Sequence, residues 1–446
     1  MRNLGVILLV CFALSVTCCV STTCRKSVEL PIPSAQPVSP LALNYGSVSL
    51  GSSNTLQLML YNPTTTVVTT TVRSSSNHYV VGLASIMLQP QETSLLTITY
   101  NPTKHGKHKS KIQFGSKLFT TVKCVGRCGK HEPTRDKYQW PYASDSPWNT
   151  PIGSQAVYVP AGLQPSLWID IDKDYIYFNG RERPLYANNG WPATCEGDEF
   201  LTNVYIADGE YIPCDGKNNS SAFVLPGNIV YQSNPTARCD PTGPVYTGWK
   251  APTENLLTQG IGGGHGGSLL ATLGGTIRRG ELFGSTPIRH ALKLDIWAGK
   301  YCSKSEHGFR WPAFRADAYA AKEYDQFGTA NRSVRMGALL ALPREVDLGS
   351  LGLKTVPAKK IAQALRDYGA YIVDDSYWDV FYICVENGVE RDFEAHSGFP
   401  IAQQSGDWYD DMMKLMTLLC VVDNNSPTTV GGGGTPLTKL APPFGN

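Results

Sequence analysis

The chain has 446 residues, which is more than one compact core usually holds, so two domains are expected. Charged residues make up only 17% of the sequence and the formal net charge is +2, a balance that fits a globular protein with no nucleic-acid partner. The sequence also contains 43 glycines and 30 prolines, and the many turns that these favour indicate a mainly β architecture.

The first residues are typical of a secretory signal peptide. Arg2 gives a positive start, and the apolar stretch over 4–16 is too short to span a bilayer comfortably. We expect cleavage near Ser21, so residues 1–21 form the signal peptide of a secreted, extracellular protein. No later segment reaches the roughly 18 apolar residues that a membrane helix needs, and no membrane insertion is expected.

Secretion determines how the cysteines are interpreted. Nine remain after residue 21, and an oxidising compartment predicts about four disulfides with one cysteine left over. Cys124 and Cys128 lack a second Cys/His pair at zinc-ligand spacing, so neither a metal nor another cofactor is expected. Four asparagines begin an Asn-x-Ser glycosylation acceptor, namely Asn218, Asn219, Asn331 and Asn424.

Residues 29–126 show short strand-like runs separated by turn signals, which predicts a β-sandwich. A group of lysines between 104 and 111 is interpreted as a solvated hairpin rather than as a contact for an acidic glycan. The segments LNYGSVSLGSSNTLQLMLYNPT and LQPQETSLLTITYNPTKHGKHKSKIQF resemble the immunoglobulin-like domains of the Hydin and major-sperm-protein type. The resemblance implies an immunoglobulin-like fold and a spacer or docking role.

The composition changes after a polar linker predicted at 127–139. All nine tryptophans lie from Trp140 onwards, and strand-like runs alternate with turns over 140–426. Two helices are predicted, at about 358–368 and 410–421. We therefore expect a large β-rich, jelly-roll or sandwich-like domain with a few helices, followed by a disordered Gly/Pro tail at 427–446.

Two segments of this domain concentrate polar residues of chemical interest. Five glycines surround His265, which equally suits a functional loop and a packed one, and the segment lacks the features of a phosphate loop. Further along, strand alternation places His290 with two leucines on one face, and Lys293 with Asp295 on the other.

Several rare motifs in 145–426 resemble an uncharacterised family of secreted bacterial proteins. They are Ser146-Pro147-Trp148-Asn149-Thr150-Pro151, Ile277-Arg278 with Glu281, His290-Ala291-Leu292-Lys293, Trp311-Pro312-Ala313, Met336-Gly337, Tyr368-Gly369, Asp374 and Trp378. The resemblance implies a shared fold and no particular reaction.

Three interpretations of function stay open, and the first two take an extracellular glycan or cell-wall polysaccharide as partner. The first is an enzyme: a glycoside hydrolase using Glu281 and Asp374, or a lyase using Tyr368 or His290 as base. Its substrate-binding side chains would be Arg278, Trp311, Arg315 and Trp378. The second is a non-catalytic carbohydrate-binding, cell-wall or adhesion protein, and the third gives these residues a structural role. Convergence of Glu281, His290, Trp311, Tyr368 and Asp374 on one open cleft would favour the enzyme.

Overall fold

A computed structural model describes residues 36–39, 42–48, 53–115, 121–128, 135–188 and 190–444. The chain divides into two compact units, Met1–His131 and Glu132–Asn446. The predicted signal peptide and Cys24 lie outside the described residues. Among the described residues, no helix is long and apolar enough to cross a membrane.

The first unit contains two sheets. Its strands are β1 (Gln36–Ser39), β2 (Ala42–Ser47), β3 (Asn54–Tyr61), β4 (Val68–Ser74), β5 (Tyr79–Val81), β6 (Ser85–Leu88), β7 (Thr93–Tyr100), β8 (Gly106–Phe114) and β9 (Thr121–Cys128). One sheet has the order β1-β3-β7-β5 and the other the order β2-β9-β8-β4-β6. The predicted mainly β, immunoglobulin-like fold is confirmed.

Strand alternation builds the core of this unit. In β3, Leu58 and Leu60 are fully buried, because every second side chain of the strand points to the same face. In β8, Ile112 is buried in the same way, whereas Lys109 and Lys111 on the opposite face are exposed. The lysine-rich strand is therefore solvated, as predicted.

The second unit is organised around one large sheet. Its strands are β10 (Tyr158–Pro160), β11 (Trp168–Tyr177), β12 (Arg181–Ala187), β13 (Glu199–Ile206), β14 (Ser221–Leu225), β15 (Ile229–Ala237), β16 (Val245–Lys250), β17 (Glu254–Asn255), β18 (Gly262–His265), β19 (Leu292–Ile296), β20 (Leu339–Ala341), β21 (Ala370–Asp375), β22 (Val380–Glu386) and β23 (Cys420–Val422). The helices are α1 (Ala298–Tyr301), α2 (Ala320–Glu323), α3 (Val356–Asp367), α4 (Val389–Ser397) and α5 (Asp407–Leu418), with short 3-10 turns at Ser305–Gly308 and Val430–Gly432.

The sheet has the order β10-β23-β20-β21-β19-β22-β11-β14-β15-β16-β12-β13, with β17 paired to β15. The β-rich character of this unit is confirmed. Where a jelly-roll or sandwich-like arrangement was expected, the described strands form one mixed sheet. Strands β11 and β22 are parallel, as are β19 and β21. A parallel pair needs a long crossover, and between β19 and β21 the chain includes α3.

The two predicted helices are present as α3 and α5, each beginning two or three residues earlier than expected. Pro357 in the first turn suits the start of α3, because that position needs no amide donor. Ile361 and Leu365 of α3 pack with Leu415 of α5 in the main core of the unit. The 3.6-residue period of the buried side chains therefore identified both helices correctly.

The prediction of a disordered tail is wrong for residues 427–444. The amide of Leu437 donates to the Ile152 carbonyl at 2.8 Å. Arg135, from the predicted linker, is buried, donates to the Pro442 carbonyl at 2.6 Å and lies 4.0 Å from the ring centre of Phe444. Composition suggested flexibility, but the backbone of the tail is held by hydrogen bonds to the start of the second unit.

The prediction of about four disulfides is also wrong. The structure contains the disulfide Cys195–Cys239, whereas Cys124, Cys214, Cys302, Cys384 and Cys420 are free. Within the second unit, Cys302 and Cys384 are buried in two different hydrophobic clusters and so do not meet, and Cys124 is buried in the core of the first unit.

The glycosylation motifs do not all lie on exposed loops as expected. The Asn219 side chain is buried and donates to the Pro213 carbonyl at 2.7 Å. Asn218 is half-buried and donates to a carboxylate of Asp374. A glycan cannot be accommodated on a buried asparagine, so we exclude Asn219 as an acceptor in the folded protein.

Candidate functional site

Three adjacent strands of the second unit carry a cluster of polar side chains. Asp172 and Asp174 lie two residues apart on β11, so both project from the same face of the sheet. Lys293 and Asp295 are related in the same way on β19, as predicted. Strand β22 runs between these two strands and contributes Cys384, which is in register with Asp172.

The glycine-rich segment lies against this cluster and brings His265 to it. His265 is fully buried, and its Nε2 lies 3.4 Å from Asp174 Oδ1 and 3.5 Å from Asp172 Oδ2. Glycine is required next to it, because a Cβ at Gly266 would collide with the Asp374 carboxylate. The amide of Gly267 donates to Asp374 Oδ1 at 2.8 Å. The segment is therefore part of the cluster, and its glycines permit the close approach.

One ion pair within the cluster is complete. Lys293 is fully buried and donates from Nζ to Asp174 Oδ2 at 2.8 Å and to the Thr272 carbonyl at 2.7 Å. Thr276 donates to the same carboxylate oxygen at 2.7 Å. In contrast, Asp174 Oδ1 and both ring nitrogens of His265 are buried without a hydrogen bond among the described residues.

Burial and crowding of like charges dominate the electrostatics. Burial, reinforced by the charge of Asp174, raises the pKa of Asp172 to about 7. Burial also raises the pKa of Asp295 well above its usual range, with further contributions from Asp172 and Asp374. Burial, followed by the charge of Lys293, holds the pKa of His265 well below its usual range. The imidazole is therefore neutral, and the carboxyl groups do not all ionise together near neutral pH.

The cluster forms one wall of an open pocket of about 210 Å³. The lining residues are Ile171, Asp172, Trp191, Lys217, Asn218, Asp295, Asp374, Asp375, Ser376 and Tyr382. A second pocket, of about 320 Å³, shares Ile171, Asp172 and Lys217 with the first, so the two lie side by side.

Exposed aromatic rings lie at and beside the pocket. Trp191 in its lining is 50% exposed. Trp378 is 41% exposed, and its indole nitrogen donates to the hydroxyl of the lining residue Tyr382 at 3.2 Å. The site thus combines carboxyl groups with accessible ring faces.

Glu281 and His290, the first predicted catalytic residues, form a different cluster. Their side chains meet at 3.1 Å between His290 Nε2 and Glu281 Oε2. The amide of Arg278 donates to the same carboxylate oxygen at 2.7 Å, and the Arg278 guanidinium pairs with Glu386 at 2.9 Å. Every charged group of this cluster has an opposite charge as partner.

The pKa shifts of this second cluster reflect a stable ion pair. Burial alone would raise the pKa of Glu281, but the charge of His290 and its hydrogen bond bring it below its ordinary value. Burial alone would lower the pKa of His290, but the charge of Glu281 and its hydrogen bond raise it overall. The pair is therefore charged in the folded protein at mildly acidic pH, which is typical of a structural contact.

The predicted convergence of Glu281, His290, Trp311, Tyr368 and Asp374 on one cleft is wrong. His290 precedes β19, whereas Asp374 pairs with Asp295 near the other end of that strand. Five residues of extended chain span roughly 16 Å, so the Glu281–His290 pair lies far from Asp374.

Most of the remaining predicted residues lie outside the pocket. Tyr368 follows the end of α3 and is buried, as part of a hydrophobic cluster. Trp311 is half-buried and Arg315 is exposed, and neither belongs to the lining of the pocket. Of the eight predicted site residues, Asp374 lines the pocket, and Trp378 lies beside it, hydrogen-bonded to the lining residue Tyr382.

Asp172, Asp174 and Cys384 were not among the predicted site residues. A signal was present, because Asp170, Asp172 and Asp174 alternate with other residues, although the strand predicted at 167–171 stopped short of the last two. Charged side chains are seldom buried without a partner, so an acidic face on an internal strand points to a site.

Comparison with known proteins identifies a family for the first unit only. Residues 34–119 match the model of the ASH family, described as abnormal spindle-like microcephaly-associated, ASPM-SPD-2-Hydin. No curated protein matches the chain. The resemblance of residues 145–426 to secreted bacterial proteins stays a prediction.

Solved structures show similarity at low identity. The ASH/PapD-like domain 7 of human CEP192 is 13% identical and covers 26% of this chain and 99% of its own, with a TM-score of 0.21. The Caenorhabditis elegans major-sperm-protein family member WR4 is 16% identical and covers 20% of this chain and 94% of its own, with a TM-score of 0.16. The Pseudomonas aeruginosa CupB2 chaperone is 14% identical and covers 21% of this chain and 54% of its own, with a TM-score of 0.17. Such scores carry no information about activity, and it is the family match that identifies the first unit as containing an ASH domain.

Proposed function

We propose that the protein is secreted and that its second unit acts as an enzyme on an extracellular glycan, which binds in the pocket bordered by Asp172, Asp295 and Asp374. The observation that carries this proposal is the combination of four carboxyl groups, those three and Asp375, with the half-exposed ring of Trp191 around one open space. Indole faces stack on the apolar faces of sugar rings, and carboxyl groups accept hydrogen bonds from sugar hydroxyls.

The adjoining pocket extends this proposal to a substrate longer than one sugar. Asp172 and Lys217 line both spaces, so a chain crossing from one pocket to the other would pass over them. Glycoside hydrolysis needs two carboxyl groups on opposite sides of the scissile bond. Asp374, which is held by the Gly267 amide, is the predicted catalytic residue that the geometry supports.

The test is a polysaccharide panel with measurement of new reducing ends. We expect Asp374→Asn to reduce turnover by at least about 100-fold, since removal of an acid–base group typically costs about 10²–10⁴-fold. Trp191→Ala should mainly raise KM, because the ring contacts substrate without taking part in bond cleavage. The matched control is Glu281→Gln, which changes a carboxylate outside the pocket and should retain the turnover of the wild type once its folding is verified.

Two results would contradict the proposal. One is loss of turnover in folded Glu281→Gln but not in Asp374→Asn, which would place the chemistry at the other cluster. The other is a wild-type protein that neither binds nor cleaves any polysaccharide of the panel.

A second candidate function is carbohydrate binding without catalysis. It is favoured by three exposed rings. Trp191 lines the pocket and is 50% exposed, and Tyr377 and Trp378, which follow the lining residue Ser376 in the chain, are 68% and 41% exposed. Binding of a glycan that Trp191→Ala weakens, without any new reducing ends, would support this function over the enzyme.

A further inference from the structure

We infer that Asp172, His265, Asp295 and Cys384 bind one divalent transition-metal ion of the zinc class. The inference rests on the geometry of these four side chains; Asp172 and Asp295 also border the proposed glycan pocket, but metal binding requires no action on a glycan. Sequence spacing predicted no metal, because the four residues come from four different strands and form no local motif.

The four donor atoms already lie close together. One imidazole nitrogen, the Cys384 sulfur and one oxygen from each aspartate are all within 4.8 Å of one another. Tetrahedral zinc, with bonds of about 2.0–2.3 Å, separates its donors by about 3.3–3.8 Å. Cys384 Sγ and Asp295 Oδ1, at 3.7 Å, meet this requirement as they stand. Any longer separation must shorten by at most about 1.5 Å to reach tetrahedral distances.

A second observation points independently to a ligand. His265 is fully buried, and neither ring nitrogen has a hydrogen-bond partner among the residues that the structure describes. A buried polar group without a partner is unfavourable, and nearly all such groups in folded proteins are satisfied. Its Nε2 faces Asp172 and Asp174 at 3.5 and 3.4 Å. A cation between the imidazole and the carboxylates would satisfy the lone pair that faces them.

The charges of the cluster also favour a cation. The buried Lys293 forms its ion pair with Asp174, and the described residues contain no ion pair between Lys293 and either Asp172 or Asp295. A divalent ion would balance two of the three negative charges of Asp172, Asp295 and the Cys384 thiolate, and the thiol proton would be released to solvent on binding. Asp172 is 21% exposed and lines both pockets, which gives the ion a path from solvent.

The donor set determines the class of metal. Calcium and magnesium prefer oxygen ligands alone, whereas imidazole and thiolate suit zinc and neighbouring transition metals. We therefore expect zinc, or cobalt as its spectroscopic substitute, to bind in preference to magnesium or calcium.

The experiment uses the full chain, freed of metal with a chelator and titrated with Co²⁺ and then Zn²⁺. We expect about one ion per chain by elemental analysis and a sulfur-to-cobalt charge-transfer absorption that Zn²⁺ abolishes. Cys384→Ser should remove this absorption and weaken binding at least about 10-fold. The matched control is Cys214→Ser, which changes an exposed free cysteine outside the cluster and should retain the absorption.

The inference is overturned if the wild type takes up no stoichiometric Co²⁺ or Zn²⁺, or if binding gives no thiolate absorption. It is also overturned if Cys214→Ser, rather than Cys384→Ser, removes the absorption. Should Cys384→Ser fail to fold, Asp295→Asn in an otherwise unchanged chain tests the same site, with folding checked by circular dichroism. No glycan is present in these measurements, so their outcome is separate from that of the proposed function.

Discussion

Replacing Lys293 with methionine tests whether the buried ion pair holds the polar cluster together. Methionine has nearly the length and volume of the lysine stem, so the change removes the charge and its hydrogen bonds while keeping most of the packing. The Asp174 carboxylate would then lose the ammonium that donates to it at 2.8 Å, and it would keep the hydrogen bond from the Thr276 hydroxyl. The carboxylate would stay completely buried, because its side chain has no exposed surface.

The expected cost follows from this burial. Removing one partner of a buried ion pair destabilises a protein by about 3–5 kcal/mol, since the other charge is left without compensation. For a unit of this size, 1 kcal/mol corresponds to about 2 °C in Tm at most. Lys293→Met should therefore lower the Tm of the second unit by up to about 6–10 °C.

The assay is a thermal melt followed by circular dichroism at neutral pH, with the metal content of the buffer held constant. The double variant Lys293→Met/Asp174→Asn provides the comparison, because it removes both charges. We expect it to recover at least half of the lost Tm, as coupled residues do not contribute additively. The reasoning is refuted if the single variant melts with the wild type, or if the double variant loses as much as the sum of the two single variants.

Three further predictions concern other contacts. Glu281→Gln should destabilise the protein most between about pH 4.5 and 6.5. The stability that comes from the raised pKa of His290 is lost as pH rises through that pKa, and the stability that comes from the lowered pKa of Glu281 is lost as pH falls through that one. Denaturant unfolding across pH measures this, and a pH-independent cost would contradict it. Cys195→Ser should lower the free energy of unfolding by up to about 4 kcal/mol, because the disulfide closes a loop of 44 residues. The control Cys214→Ser should leave the free energy of unfolding almost unchanged. Thiol titration of the denatured, unreduced wild type should find at least the five free cysteines. Arg135→Ala should make the tail at 427–444 sensitive to protease, whereas an unchanged digestion pattern would show that the hydrogen bond to the Pro442 carbonyl does not hold it.

Local patterns in the sequence were sufficient for much of the fold. Alternation of Leu58 and Leu60 placed a strand of the first unit, and the helical period of Ile361 and Leu365 placed α3. The same reasoning correctly assigned Lys293 and Asp295 to one face of β19. These features depend on neighbours within one element, which is the information that periodicity contains.

The arrangement of the sheet could not be predicted in this way. Asp172 and Cys384 are register partners although they lie in distant parts of the chain, and β19 pairs with both β21 and β22. Such an order is set by crossovers and by packing of the helices against the sheet, neither of which leaves a periodic signal. The cysteine expectation failed for a related reason, because compartment and count do not show which sulfurs come close enough to bond.

The two polar clusters show why residue type alone selected the wrong site. Glu281 and His290 have the side chains that catalysis often uses, yet the carboxylate is satisfied by the imidazole and by the Arg278 amide, which leaves little for a substrate to bind. At the other end of β19, the cluster around Asp295 opens onto solvent and contains a buried imidazole that makes no hydrogen bond to any residue the structure describes. Burying carboxyl groups together is costly unless a proton, a cation or a ligand compensates them. An incompletely satisfied cluster at a pocket wall therefore has a reason to bind something, whereas a complete ion pair stabilises the fold without it.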